Sequence, residues 1–314
     1  MEVVIASRHQ QADGIISLAL APVGAGALPT FEAGAHVDVD VAPGVMRQYS
    51  LCSDPADNRR YEIAVLLEPE SRGGSAGVHR TFVVGRTIRI GRPRNNFPLT
   101  AAAKRSLLLA GGIGITPLLS MMHDLERRHA DFAVHYCARS RARAAFLGRL
   151  NGAAFAAKVK LHFDDGPDAQ RFNASDVLCR HDEGMHLYVC GPRGFIDHIL
   201  DEASRAGWPS NCIHVEHFSA APAAEGEGFT VVARRSGVTV DVMSGQTIAG
   251  ALAAAGIAID LSCQQGICGS CLVDVVDGVP DHRDHYLDAR EKASNRQMTV
   301  CCSRALTKRL VLDV

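Results

Sequence analysis

The chain lacks an excess of either charge. Thirty-three Lys and Arg stand against 34 Asp and Glu, leaving a formal net charge of −1, so it has no electrostatic footprint for nucleic acid. It also lacks any apolar run of about 18 residues, and no membrane span is expected. Met1 is followed by Glu2 and a short strand-like run, not by a basic segment and an apolar core, so no signal peptide is expected. Ten cysteines without an export signal point to the reducing cytoplasm. There is no internal repeat. What remains is 314 residues, 47% hydrophobic and 21% charged. That is an ordinary globular composition, with room for two or three domains of about 100–150 residues each.

The densest chemistry lies in Cys263-Gln-Gln-Gly-Ile-Cys268-Gly-Ser-Cys271, with Cys301 following after 29 intervening residues. A C-x4-C-x2-C run with a distant fourth cysteine is the ligand spacing of a plant-type [2Fe–2S] cluster. A structural zinc site usually has two CxxC-type pairs, and only Cys268 and Cys271 form one. A disulfide framework does not suit a chain with no secretion signal. Gly266 and Gly269 stand between the ligands, where a loop turning its amides toward sulfide needs residues without a Cβ. Cys302 adjoins Cys301, and spacing alone selects Cys301. Asp281-His-Arg-Asp-His285 has the composition of a metal site but no ligand pair at helix spacing, and reads as a polar loop.

Residues 1–100 read as a β-domain. Val37, Val39 and Val41 alternate with Asp38 and Asp40; Tyr61, Ile63, Val65 and Leu67 alternate again, as do Ile88 and Ile90. Turn residues separate these runs, as in an antiparallel barrel. On one strand, Arg47-Gln48-Tyr49-Ser50-Leu51 puts 47, 49 and 51 on one face and 48 and 50 on the other. A guanidinium suits a phosphate and a phenol ring suits a planar cofactor, although Arg-x-Tyr also fits plain core and rim. Arg72-Gly73-Gly74-Ser75 precedes a short helix with Ser75 as expected N-cap. Glycine amides at a helix start make an anion site; a plain glycine turn is the alternative. Together the two motifs suggest a flavin with its phosphate on the glycine loop.

Residues 101–220 read as a dinucleotide domain. The apolar run Ser106–Ala110 is a buried strand. It enters Gly111-Gly112-Ile113-Gly114-Ile115-Thr116-Pro117, then a helix expected over 118–129 with Thr116 as N-cap and Pro117 at the first helical position. Strands are expected at 132–138, 159–163, 187–190 and 213–218, and helices at 143–150 and 194–205. Strands alternating with helices imply a right-handed parallel sheet whose ligands bind at the strand carboxyl ends. The Gly111 loop and Cys190-Gly191-Pro192 both lie at such ends. Cys190 also fits plain core, and Cys52, Cys137, Cys179 and Cys212 read as packing residues. Arg139, Ser140 and Arg141 follow the second strand, where they suit either a 2′-phosphate or a solvated loop.

Ser219 to Gly228 is rich in Ala, Pro and Gly and reads as a linker. Beyond it, strands are expected at 229–233, 238–242, 272–276 and 309–314, with a helix over 247–255 ended by Gly256. A mixed sheet crossed by one helix is what a β-grasp ferredoxin needs.

With these motifs in place, the chain resembles the phthalate dioxygenase reductase family over essentially its whole length. The resemblance rests on Arg47–Leu51, Arg72–Ser75, Gly111–Pro117, Cys190-Gly191-Pro192, Val215-Glu-His-Phe218 and the cysteine motif. It implies a multidomain fold: an antiparallel β-barrel flavin domain (1–100), an α/β parallel-sheet nicotinamide-binding domain (101–220), a linker (221–228) and a C-terminal β-grasp plant-type ferredoxin domain (229–314). This domain order implies FMN. The resemblance places Arg47 and Ser75 on the FMN phosphate, Tyr49 and Ser50 along the isoalloxazine, Thr116 and Cys190 near the nicotinamide, and Phe218 over the flavin until nicotinamide displaces it. Family members mostly prefer NADH, so NADH is the expected donor despite Arg139 and Arg141. The implied activity is that of a reductase passing electrons from NADH through FMN and a [2Fe–2S] cluster to a separate Rieske-type oxygenase. Two alternatives are a flavin–iron–sulfur subunit of another oxidoreductase, which would have different cysteine spacing, and a non-enzymatic redox sensor, which would not turn over.

Overall fold

The computed structural model describes residues 1–69, 71, 73–218 and 225–314. Arg72 and residues 221–224 of the expected linker lie outside these. The chain divides into two compact units, Met1–Glu216 and His217–Val314.

The first unit opens with β1 (Glu2–Ala12), β2 (Ile15–Pro22), β3 (His36–Ala42), β4 (Val45–Ser50), β5 (Tyr61–Leu66), α1 (Gly74–Thr81) and β6 (Thr87–Arg89). Hydrogen bonds give the order β5-β2-β1-β6, with β3 and β4 paired apart. Bridges from Val39 to Ile90 and from Leu51 to Ile63 join the two sets into a closed antiparallel barrel, which removes exposed sheet edges. Val37, Val39 and Val41 point inward with Leu18, Ile63 and Val65, as their period of two requires. Helix α1 begins at Gly74 after Gly73, which is left-handed at φ 83. Ser75 is therefore not the N-cap. Its hydroxyl instead accepts the Glu68 amide at 3.0 Å.

The unit continues with β7 (Arg105–Gly111), α2 (Ile115–Arg127), β8 (Asp131–Ala138), α3 (Leu147–Gly152), β9 (Val159–Phe163), α4 (Ala174–Leu178), β10 (Met185–Cys190), α5 (Arg193–Arg205) and β11 (Ile213–Glu216). The sheet order is β11-β10-β7-β8-β9, parallel throughout. Three differences from expectation bear on the site, and other element ends move by one or two residues. A 3-10 turn over Gly112–Gly114 runs straight into α2, so Gly114 takes the cap position and Thr116 lies inside the first turn. The helix expected over 143–150 is divided, because Phe146 adopts φ 63 before α3. Strand β11 stops at Glu216 because its partner ends at Cys190, opposite Glu216, where Gly191 and Pro192 turn away. Phe218 is thus outside the strand. Cys52 is buried and Cys137 and Cys212 are half-buried, but Cys179 is exposed and is not a packing residue.

The second unit contains β12 (Phe229–Ala233), β13 (Val238–Val242), α6 (Ile248–Ala254), β14 (Leu272–Asp277), β15 (Pro280–Asp281), α7 (Ala289–Ser294), β16 (Gln297–Thr299), β17 (Arg304–Ala305) and β18 (Arg309–Leu312). Its main sheet runs β13-β12-β18-β14-β16, with β12 and β18 parallel and the other pairs antiparallel. Thr247 caps α6 by accepting the Gly250 amide at 3.0 Å. Ile248, Ala251 and Leu252 join Val231, Leu310 and Leu312 in one core. This is the β-grasp arrangement. Pairing of β14 with β16 carries Cys271 beside Cys301, and the Val300 amide donates to the Cys271 carbonyl at 3.2 Å.

Candidate functional site

In the second unit, Cys263, Cys271 and Cys301 are buried and Cys268 is half-buried. Their side chains meet as two thiol pairs. Cys263 and Cys268 share one hydrogen bond, and Cys271 and Cys301 share another. In each pair the hydrogen bond from its partner stabilises one thiolate: Cys268 and Cys271 are both shifted down. Among the described residues, no three His, Cys, Asp or Glu side chains converge as a single-ion site needs. Two pairs with two thiols each match the donor set of a two-iron cluster, where each iron takes two cysteines. The loop between them has the required backbone: Gly266 (φ 70), Gly269 (φ 72) and Gln264 (φ 54) are left-handed. The Gln265 amide already donates to Cys263 Sγ at 3.3 Å. A Cβ on Gly266 would run into Cys302 Sγ, and one on Gly269 into the Tyr286 ring. The residues fit a [2Fe–2S] cluster. Cys301 also shares a hydrogen bond with Cys302, whose sulfur stands 3.2 Å from Thr299 Oγ1, so the selection of Cys301 over Cys302 still rests on spacing.

In the first unit, the barrel motifs come together. Arg47 lies across the start of α1: a Cβ on Gly74 would stand 2.7 Å from its Nε. The first turn of α1 carries no acidic residue. A guanidinium beside amides at a helix start is a donor set suited to a phosphate. Gly73 leaves the adjoining space open. A flavin phosphate fits this arrangement. Tyr49 is half-buried against the barrel core, and burial raises its phenol to about 12, so it stays neutral. Gln48 is on the other face and donates to Asp38 Oδ1 at 2.9 Å.

The strand ends of the parallel sheet also converge. Gly111 meets Pro192 and Phe195, where a Cβ would come within 2.9 Å of each, and Gly114 lies directly on the Cys190 carbonyl. Gly112 is left-handed at φ 55 with open space beside it. Cys190 is fully buried, and burial pushes its thiol well up. Thr116 is buried, with its hydroxyl donating to the Ile113 carbonyl at 2.9 Å. Arg139 is exposed and Ser140 half-buried, just beyond β8. Strand β11, beside Cys190, reaches the barrel motif at Ser50 through Glu216, whereas Phe218 belongs to the other unit.

Sequence reasoning missed two residues. Glu216 ends β11 opposite Cys190 and accepts a 3.4 Å hydrogen bond from Ser50. Desolvation pushes its carboxyl up to about 8. Its only sequence signal was its place in Val215–Phe218. His36 faces Ser50 across β3 and β4 and is 5% exposed. Burial lowers its imidazole to about 4, and its Nε2 has no hydrogen-bond partner among the described residues.

The comparisons agree with this geometry. Residues 231–306 match the family described as a 2Fe-2S iron-sulfur cluster binding domain. Residues 88–213 match the N-terminal domain of dimethylamine monooxygenase subunit DmmA-like proteins. The chain is 50% identical to a vanillate O-demethylase oxidoreductase of Pseudomonas sp. (strain HR199 / DSM 7063), covering 100% of both. It is 40% identical to the vanillate O-demethylase oxidoreductase of Acinetobacter baylyi, over 100% of this chain and 99% of the relative. Among solved structures, phthalate dioxygenase reductase, described as a modular structure for electron transfer from pyridine nucleotides to [2Fe–2S], is 37% identical, with a TM-score of 0.80 over 100% of this chain and 98% of that one. Identity of this extent over full length means that the chain belongs to the phthalate dioxygenase reductase family, NADH-dependent oxidoreductases that carry FMN and a [2Fe–2S] cluster.

Proposed function

We propose that this oxidoreductase is the reductase component of a cytoplasmic two-component system, and that its partner is a Rieske-type oxygenase acting on an aromatic ring or an aromatic methyl ether. The observation that carries the reading is the presence, in one chain, of a phosphate cradle, a dinucleotide cradle and a two-pair thiol site, in a sequence 50% identical over its full length to a vanillate O-demethylase oxidoreductase. The domains are 1–100, 101–220 and 229–314, joined through 221–228.

When bound, NADH supplies a hydride, FMN takes up two electrons and releases them singly, and the [2Fe–2S] cluster relays single electrons. The chain's own residues bind and orient. Arg47 neutralises the FMN phosphate with Ser75 and the amides at Gly73 and Gly74. Tyr49 supplies a flat apolar surface, and Gln48 and Ser50 supply polar groups on the opposite strand face. Gly111, Gly112 and Gly114 leave backbone open to the dinucleotide beside Gly191 and Pro192, and Arg139 and Ser140 take its adenosine end. Thr116 and Cys190 line the nicotinamide, where a buried neutral thiol excludes water. Phe218 shields the flavin face. Cys263, Cys268, Cys271 and Cys301 ligate the irons. The rim at Gln264, Gln265 and Ile267 faces the partner.

The test is coupled turnover. With FMN-loaded protein, NADH should support reduction of cytochrome c, and consumption of a methoxylated aromatic acid once a Rieske oxygenase is added. A flavin-replete protein that reduces neither acceptor contradicts the proposal, and release of FAD rather than FMN contradicts the flavin assignment.

A further inference from the structure

The Asp281–Tyr286 loop carries two acids and two histidines, yet no three-ligand ion site forms among the described residues. Its contacts give it another role. Asp284 is 2% exposed. One carboxylate oxygen accepts the amides of Tyr286 at 3.1 Å and Leu287 at 2.8 Å. The other accepts the Ser303 hydroxyl at 3.4 Å and stands 3.7 Å from His282 Nδ1. The Asp284 carbonyl accepts Lys292 Nζ at 2.6 Å. A carboxyl group withdrawn from water needs such partners, and its removal strands buried amides. Residues 284–287 are thereby held in one tight turn.

That turn is seated on the cysteine loop. The His285 amide donates to the Gly266 carbonyl at 2.9 Å. The Asp284 Cα and Cβ stand 3.1 and 3.2 Å from where a Gly266 Cβ would lie, and Tyr286 fills the equivalent space at Gly269. Both left-handed glycines between the ligands are therefore covered by the turn that Asp284 fixes. Beneath it, the Ser303 and Thr299 hydroxyls are 3.2 Å apart, and Thr299 reaches Cys302 Sγ. The same loop grips the chain entering the unit: Arg283 donates to the Glu225 carbonyl at 2.7 Å, and the His217 ring stacks on His285 at 3.7 Å.

We propose that Asp284 is a positioning residue for the cluster: its carboxylate fixes the turn that holds Gly266 and Gly269, and with them the ligands on either side, in their binding conformation. The proposal rests on the reading of Cys263, Cys268, Cys271 and Cys301 as cluster ligands. Asp284 itself is not one of the four ligands.

The experiment compares the full-length parent with Asp284→Ala and Asp284→Asn after anaerobic reconstitution with iron and sulfide. It reads iron per chain, the EPR spectrum of the dithionite-reduced protein, and the rate of cluster bleaching in chelator. Asparagine keeps a carbonyl oxygen for the two amides and an amide group for Ser303. It should match the parent's EPR line shape and bleach within about twofold of it. Alanine leaves the buried Leu287 amide and the half-buried Tyr286 amide without their acceptor, so bleaching should be about tenfold faster or more, with a broadened spectrum. Should Asp284→Ala not accumulate, Ser303→Ala, which removes one partner of the carboxylate, should speed bleaching about threefold. Parent-like behaviour of Asp284→Ala overturns the proposal, as does equal failure of the alanine and asparagine variants, or an unchanged rate in Ser303→Ala when that variant carries the test. A parent that takes up no iron at all refutes the ligand reading instead.

Discussion

Each unit builds a cradle from glycines, and the two cradles are made differently. In the first unit, Gly114 lies on the Cys190 carbonyl and Gly111 lies on Pro192 and the Gly191 backbone. Two strand ends approach until only a missing Cβ lets them meet, and the amides beyond stay open to a dinucleotide. In the second unit, Gly266 and Gly269 are left-handed and are covered mainly by side chains, namely Cys302, Asp284 and Tyr286. There the glycines are needed for backbone conformation as well as space. On the function proposed above, the first cradle takes a diffusing nucleotide and the second a resident group. The difference suits an entry port and a permanent relay.

Substitution at the glycines breaks this contrast most sharply. Gly266→Ala combines a left-handed φ, costing roughly 1–2 kcal/mol, with overlap on buried Cys302 and on Asp284 Cα. It should leave the chain without iron while flavin content is retained. Gly269→Ala shares the φ penalty, but the Tyr286 ring is 44% exposed and can swing aside. It should keep its cluster and lose it faster on storage, as read by absorbance. Equal iron content in the two variants would show that Asp284 and Cys302 do not constrain the loop.

Gly114→Ala should act on the first cradle alone. Overpacking against the Cys190 carbonyl costs about 1–3 kcal/mol, and hydride transfer should fall about tenfold in stopped-flow flavin bleaching, with iron content unchanged. Arg47→Ala acts on the barrel instead. Loss of a charge-assisted phosphate contact should weaken FMN binding about 10- to 100-fold, measured by fluorescence titration of the apoprotein. Unchanged affinity would remove the phosphate from the start of α1.

The smallest effect is on Glu216. Its folded-state pKa of about 8 lies above the ordinary 4.5 because burial disfavours the charged form. Between these values the folded unit keeps a proton that the unfolded chain has released. The carboxyl therefore costs nothing below pH 4.5, costs more as pH rises to about 8, and costs a constant amount above. Glu216→Gln lacks this term. Its Tm relative to the parent should rise from pH 5 to pH 8 and then level off; parallel Tm curves would place the carboxyl in water.

Much of the fold was legible because its signals are local. The spacing of Val37, Val39 and Val41 gave their strand, and the strands at 159–163, 229–233 and 238–242 have the boundaries their patterns implied. The β1–β2 hairpin left a weaker trace, since Ile15–Leu20 is buried at every position and so shows no alternation. Caps were misread where glycine geometry replaced side-chain capping, at Ser75 and Thr116. The cysteine motif was legible because three of its four cysteines are close in sequence. Glu216 and His36 were not, because each meets Ser50 only in the folded chain, Glu216 through a long-range side-chain hydrogen bond and His36 through the pairing of β3 with β4. Asp284 was visible only as one acid in a polar run.

On the proposed function, electrons entering at the first cradle leave through the cluster, with Cys301 as its fourth ligand. The most direct test is anaerobic single turnover of Cys301→Ser and Cys302→Ser with NADH, followed at flavin and cluster wavelengths, with cytochrome c added at the end. The account predicts that Cys301→Ser bleaches its flavin at the parent's rate but carries no cluster and passes little to cytochrome c, while Cys302→Ser behaves like the parent. A Cys301→Ser protein that retains its cluster and reduces cytochrome c at the parent's rate would contradict it.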